Sequence, residues 1–466
     1  MQELYWNSRD EDSTQLADTE LPPGTGASAI LPVSAKGELW PTPARAWSLL
    51  AILMATALFS YTDRQILSLL VDPIRRDLFV NDTQVALLGG LAFALVYGLA
   101  ALPLGRLVDL RSRRLLLIAG VSCWSVATLG CAISVAYWQL FICRMFVGVG
   151  ESVLMPSALS LIADAFAPKR RGLATGIFIT AISTGASGAV MIGALVLNAA
   201  ATGRFSAVPF INTMPSWRQV LALLGLMSAP LILMLALITE PTRKGVVADG
   251  TNSAFRDMRR YRRTAFPFIA VASSCAIGDY TMLSWLPVQL SRNFSLSPAE
   301  IGYLISLPAI VGSIAGPVIW GALSDARGKR GLAERVRVAA ICMSLAVPFT
   351  LAGVLPNATA LALCLGCWMF LSVSTVAMAM TLLQLLLPNN LRGVATSLCA
   401  FGSVVFGLGL GTVAASLLTD YVFHNPKSVG LSVTIIAAMA AIAGAFGLWR
   451  AFADVRRTES LHAESF

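Results

Sequence analysis

Twelve separate stretches of this chain are apolar and long enough to cross a bilayer as helices, which takes about 20 mainly apolar residues each. They run over 46–71, 83–105, 114–134, 137–164, 172–199, 218–239, 265–290, 299–322, 333–355, 358–386, 394–420 and 427–452. In lipid every backbone polar group must be satisfied internally, so a chain built this way is expected to be an all-α membrane protein. Composition supports that expectation. Charged residues make up 13% and hydrophobic residues 56% of the 466 residues, too few charges to cover a water-soluble protein of this size. A net charge of +9 could suggest nucleic acid, but the basic residues lie between apolar segments, where membrane topology accounts for them. No nucleic-acid partner is expected.

The longest break between spans is 240–264, polar and rich in arginine (Arg256, Arg259, Arg260, Arg262, Arg263). It divides the chain into a six-helix bundle over 46–239, a linker over 240–264 and a second bundle over 265–452. Residues 1–45 form a polar tail expected to be disordered, and 453–466 form a second short tail. With the N-terminus inside, 26 of the 34 Lys and Arg residues fall in inner segments and 6 in outer loops; Arg64 and Arg144 lie within spans. The positive-inside rule then puts both termini in the cytoplasm, expected to face it from the cell (inner) membrane.

All eight cysteines lie in apolar runs. Cys364-Leu-Gly-Cys367 has half-site spacing, but no second pair or nearby histidine completes a zinc site. No metal and no cofactor are expected.

The halves repeat each other. Gly105-Arg-Leu-Val-Asp109-Leu-Arg111-Ser-Arg113-Arg114 follows the second span, and Gly321-Ala-Leu-Ser-Asp325-Ala-Arg327-Gly-Lys329-Arg330 follows the eighth. Arg171-Gly172-Leu-Ala-Thr175 and Arg392-Gly393-Val-Ala-Thr396 open the fifth and eleventh. Both matches fall on one side of the membrane, so the halves share a topology.

Twelve spans, a 6+6 repeat and two copies of this loop resemble the major facilitator superfamily over about 46–452. The first copy departs from the superfamily's usual Asp-Arg-x-Gly-Arg, having Asp109-Leu-Arg111-Ser112-Arg113. Tyr61-Thr-Asp63-Arg64 in the first span and Arg144-Met-Phe-Val-Gly148-Val-Gly150-Glu151-Ser152 in the fourth further resemble the Spinster family. That resemblance implies two pseudo-symmetric bundles rocking about a central cavity, and a sphingolipid or lysophospholipid as cargo. It also implies a cytoplasmic latch of Gly105, Asp109, Arg113, Asp164 and Asp325, with Asp109 facing the positive N-terminus of the eleventh helix and Arg113 pairing with Asp164. Positive-inside topology alone would account for the arginines, but not for the repeated Gly and Asp.

Charge within a spanning helix costs roughly 2.5–3.5 kcal/mol per residue on insertion scales. Five such residues stand out: Asp63, Arg64, Arg144, Glu151 and Asp279. At about 1.5 Å per residue, Asp63 and Arg144 lie at similar depths, so an ion pair between them is expected. Glu151, seven residues past Arg144, returns to nearly the same helix face and would extend one polar stripe deeper. A carboxylate that gains and loses an arginine partner would take up and release a proton, so Asp63, Glu151 and Arg144 are the candidates for proton coupling. Arg144 would alternatively clamp an anionic headgroup. A static pair holding two helices together is the plainer reading, but stability alone is a poor reason to bury charge. Substrate contacts are expected from Arg144, Glu151, Asp63, Arg64, Asp279, Tyr280 and Trp285. For Asp279, a polar residue satisfied at a helix contact fits equally well.

The expected activity is therefore proton-coupled secondary transport by a monomer embedded in membrane lipid, with an amphipathic lipid as substrate; a small organic anion or drug-like compound is the alternative. No phosphate-binding loop of a primary pump is present, and no cluster of catalytic side chains at one depth marks an enzyme.

Overall fold

A computed structural model describes residues 40–205, 212–243, Met258 and 261–463. Most of the first tail and most of the linker lie outside the described residues, including Arg256, Arg259 and Arg260. Among the described residues there is no strand. Twelve helices are long and apolar enough to span a membrane. We number them α1 (Pro43–Leu78), α2 (Asp82–Ala101), α3 (Arg113–Ile133), α4 (Tyr137–Ala165), α5 (Lys169–Ala201), α6 (Ser216–Leu237), α7 (Thr264–Phe294), α8 (Pro298–Gly328), α9 (Leu332–Val354), α10 (Ala358–Leu386), α11 (Leu391–Val422) and α12 (Pro426–Glu459).

Side-chain caps start several of them. Asn81 and Gln84 form a capping box at α2, Ser297 and Glu300 another at α8, and Asn357 accepts from the first turn of α10. Each satisfies backbone N–H groups that a helix start leaves without a partner.

Several ends differ from the hydropathy reading, the second span running helical to Leu110 and the eighth to Gly328. The first span does not stop at 71 but continues helical to Leu78, after a break at Ile66. Asp72, Arg75, Arg76 and Asp77 end the apolar run without ending the helix, because Asp72 and Arg75 are satisfied by ion pairs and Arg76 and Asp77 are exposed. The second tail is also helical, to Ala463.

Among the described residues three π-helical stretches interrupt the regular pitch where the halves meet, the shorter of the two in α11 being Leu418–Val422. The other two are Leu87–Leu91 in α2 and Ser403–Gly411 in α11. They touch through Gly90, where a Cβ would come within 2.6 Å of the Leu408 carbonyl oxygen. On the other seam Gly302 of α8 packs against Met191 and Ala194 of α5.

We call the end carrying the 105–114 and 321–330 loops the basic face. At the opposite face, polar contacts lock the halves together. Arg292 at the end of α7 pairs with Asp72 of α1 and Asp82 of α2, both at 2.7 Å. Thr83 donates from its backbone N–H and its hydroxyl to Asp420 of α11. Arg75 also reaches the fully buried Asp82, at 3.1 Å. At the basic face Gly105, Gly172, Gly176, Gly321 and Gly393 look into open space. The bonds of Arg292 to Asp72 and Asp82, and of Thr83 to Asp420, thus join the halves at the face opposite the basic loops.

Each half is braced at the basic face in the same way. Glu240, just past α6, accepts hydrogen bonds from the backbone N–H groups of Arg113 and Arg114 at the start of α3. Glu459, at the end of α12, does the same for Leu332 and Ala333 at the start of α9. Gly331, at φ 134°, makes the turn before α9 in a region that L side chains rarely adopt. Partial burial alone would raise the Glu240 pKa, but hydrogen bonds from Ser112, Arg113 and Arg114 outweigh it and hold the carboxyl below its ordinary range.

Candidate functional site

Two ion pairs join α1 and α4 within the first bundle. Arg144 Nη1 lies 3.1 Å from Asp63 Oδ2, the pairing expected from matching depth. The depth itself was misjudged. α1 runs 15 residues beyond Asp63 to Leu78 instead of ending at 71, and its break at Ile66 limits what a straight rise per residue can say. Thr128 of α3 donates to the other Asp63 oxygen at 3.1 Å.

Glu151, seven residues past Arg144 on the same unbroken helical stretch, also faces α1. Its partner is Arg64, at 2.5 Å, and Ser60 donates to the same carboxylate oxygen at 2.7 Å. Regular α-helix stops at Glu151 and resumes at Leu154. All four charged groups are buried: Asp63 and Glu151 are 1% exposed, Arg144 0% and Arg64 6%.

Arg64 is further enclosed by rings. Its guanidinium carbon lies 4.6 Å from the Phe93 ring centroid, 4.9 Å from Tyr61 and 5.3 Å from Tyr97. Phe93 and Tyr97 stack on each other. Such contacts contribute about 2 kcal/mol or more where water is excluded. The aromatic enclosure is absent from the sequence reading, although Tyr61 precedes Arg64 by one helical turn.

Several polar atoms of these pairs have no hydrogen-bond partner among the described residues: Nε and Nη2 of Arg144, and Oε1 of Glu151. An orphaned buried polar atom costs about 1–3 kcal/mol. Two ion pairs built only to pin helices would be expected to use their donors fully.

Just beyond Arg64 a small, partly open cleft lies between the halves. Arg64, Gln65 and Ser68 of α1 form one side, and Ser284, Trp285 and Thr412 of α7 and α11 the other. Trp285 faces this space, and its Nε1 donates to the Thr412 carbonyl oxygen at 3.0 Å. Gln65 is buried there with Nε2 unpartnered among the described residues; the sequence reading passed over it. Tyr280 of α7 packs across the seam against the core of the first bundle. Asp279 accepts hydrogen bonds from Trp368 Nε1 and Ser372 Oγ of α10, both at 2.8 Å, and stays within its own half.

The latch residues lie apart from this site. Arg113 pairs with Asp164, as the resemblance implies, and also with Glu240 at 2.9 Å, which the sequence reading missed. Asp109 is exposed and, among the described residues, makes no ion pair and no hydrogen bond to the start of α11. Asp325 pairs within its own half, with Arg335 at 2.7 Å. Gly105 faces open space. All eight cysteines are free, Cys364 and Cys367 included. Among the described residues no cluster of metal-ligating side chains occurs.

Residues 53–408 match the Major Facilitator Superfamily. An "MFS-type efflux pump" of Mycolicibacterium smegmatis is 25% identical over 89% of this chain and 94% of its own length. A "Probable L-galactonate transporter" of Escherichia coli is 26% identical over 66% of this chain and 68% of its own. "Protein spinster homolog 3" of Danio rerio is 27% identical over 53% of this chain, which spans about half (49%) of that relative. A bacterial homolog of the human lysosomal transporter Spinster, solved in an inward-facing and unoccupied conformation, shares the fold with a TM-score of 0.72 and 21% identity, covering 89% of this chain and 96% of its own. Relatives of this kind carry solutes rather than catalyse reactions, and twelve spans in a 6+6 repeat are what the match requires. The chain is a multi-pass membrane transporter and belongs to the Major Facilitator Superfamily.

Proposed function

We propose that this transporter is a proton-coupled secondary carrier of an amphipathic lipid, such as a lysophospholipid or sphingoid lipid, working by alternating access. The observation that carries the reading is the double ion pair of α1 and α4, buried beside the cleft between the halves with donors and an acceptor left over. Asp63 and Glu151 each have an arginine whose approach favours the charged carboxylate. A shift of α1 against α4 would trade that arginine for a proton. Arg144, with two N–H-bearing nitrogens left over, is suited to an anionic headgroup while its partner is protonated. Arg64, Asp279, Tyr280 and Trp285 complete the substrate contacts, with Leu67, Val71 and Leu408 supplying apolar wall.

The basic face is read as cytoplasmic on the positive-inside rule, in a cell (inner) membrane, with the transporter acting as a monomer. With the basic face shut, Asp109 would meet the N-terminus of α11. Gly105, Arg113, Asp164 and Asp325 would support that latch from their own bundles.

Uptake of a labelled lysophospholipid into proteoliposomes under an imposed proton gradient tests this. The wild type should saturate and respond to the gradient. Arg144→Ala also strands the buried Asp63, so transport is compared per amount of folded carrier, where it should fall by about 10- to 100-fold, the effect of removing hydrogen bonds to a charged group. Full transport by that variant would end the headgroup role of Arg144.

Glu151→Gln reads the proton step. It keeps the side chain's size and one acceptor, so the lipid should still bind, but the pH dependence of uptake should flatten. An unchanged pH profile would move the proton site away from Glu151, with Asp63 next to be tested. A second reading, a small organic anion or drug-like compound, is favoured by the efflux pump and the galactonate transporter, which match this chain over more of their length than the Spinster relative does. Saturable uptake of such a compound, with none of any lysolipid or sphingoid base, would decide for it.

A further inference from the structure

We propose that Asp279 is a cation subsite, and that the transported molecule carries a positively charged group, a protonated or quaternary amine, that docks there. The inference rests on the reading that substrate occupies the space between the two halves, and it adds the substrate's charge.

Of the five ionisable side chains placed deep in the spans, four cancel in pairs: Asp63 with Arg144, and Glu151 with Arg64. Asp279 has no cationic partner among the described residues. It stands at the midpoint of α7, fifteen residues from either end, about 22 Å along the helix each way. A charge so placed is costly and calls for a partner. Its neighbours do not supply one. Trp368 Nε1 and Ser372 Oγ both donate to Oδ1, which orients the carboxylate but brings no positive charge.

The carboxylate is held in place. A Cβ on Gly278 would lie 2.2 Å from the Trp368 ring, so the fully buried indole rests directly on the α7 backbone. That contact leaves Trp368 little freedom and holds its N–H against Asp279. The residue itself is only partly buried. Helices α10, α11 and α12 of its own bundle surround α7, and the adjacent Tyr280 reaches the first bundle. This turn of α7 therefore lies beside the seam, with Asp279 bonded to α10 and Tyr280 next to it against the first bundle. A ligand there meets an anionic point on the second bundle and arginines on the first.

Tetraphenylphosphonium and tetraphenylborate have the same shape and opposite charge, so the pair reads the charge preference of the site whatever the natural substrate is. Equilibrium binding to the purified full-length protein should favour the phosphonium. Asp279→Asn should weaken phosphonium binding about tenfold or more, Asp279→Glu should restore it to within a few-fold, and tetraphenylborate should respond to neither. In the wild type, the phosphonium should also protect Asp279 from carbodiimide modification, read by peptide mass mapping, which needs no variant to fold. The proposal is overturned by unchanged phosphonium binding in Asp279→Asn, by a preference for tetraphenylborate, or by absence of protection. Unchanged phosphonium binding together with lost proton-driven uptake in Asp279→Asn would make the carboxylate a proton site instead. Intact cation binding without any lipid uptake would remove the lipid reading and keep the subsite.

Discussion

Arg292→Ala is expected to unlock the face opposite the basic loops. Among the described residues, Arg292 is the side chain that grips Asp72 and Asp82 together from the other bundle, and its own side chain is 8% exposed. Truncating one member of a buried, hydrogen-bonded charge pair costs about 2–5 kcal/mol. Asp72 is partly exposed and Asp82 keeps Arg75, so the lower part of that range applies. Even there the balance between closed and open states moves about 30-fold. Spin labels at Phe79 and His424, one on each bundle at this face, would measure the shift in a cysteine-free background. The variant should show a new population at longer distance, and a distance distribution identical to that of the parent would exclude Arg292 as the lock. Arg292→Lys should restore part of the closed population, because a single ammonium cannot reproduce the forked grip on two carboxylates.

Arg64→Ala should produce the largest loss of stability. It would strand Glu151, 1% exposed, with only the Ser60 hydroxyl, and would empty the space among Tyr61, Phe93 and Tyr97. Breaking a buried pair from one side costs about 3–5 kcal/mol. Replacing both partners with apolar residues of similar size, Arg64→Met with Glu151→Leu, should recover most of that loss. The double variant separates two roles that a single substitution confounds. Recovered thermal stability in detergent without recovered transport would assign the pair to function. Recovery of both would reduce it to a fastening between helices. The stability claim itself fails if the single variant melts within about 1 kcal/mol of wild type, the cost of an exposed pair.

The spans and the division into halves were legible because hydropathy and a repeated loop are properties of short stretches of chain. The Asp63–Arg144 pair was legible for a related reason: two opposite charges at matching depth in lipid have few other partners. Glu151 and Arg144 lie in one unbroken helical stretch, Tyr137–Glu151, and meet adjacent residues of α1. Seven-residue spacing showed the shared face, but not that Arg64 would be the partner of Glu151. The lock at Arg292 was invisible for another reason. Its partners are 220 and 210 residues away and lie in segments too polar to register as span. Asp109 illustrates a third limit. Its expected contact is with the other bundle, and a sequence does not say how two bundles stand to each other.

Glu240 and Glu459 act as cross-bars, each tying the last helix of its bundle to the third at the basic face. A panel braced there resists shear. If the two bundles rock as proposed, the six helices behind each brace would be carried together, and the work would fall on the two seams between panels rather than on the panels themselves.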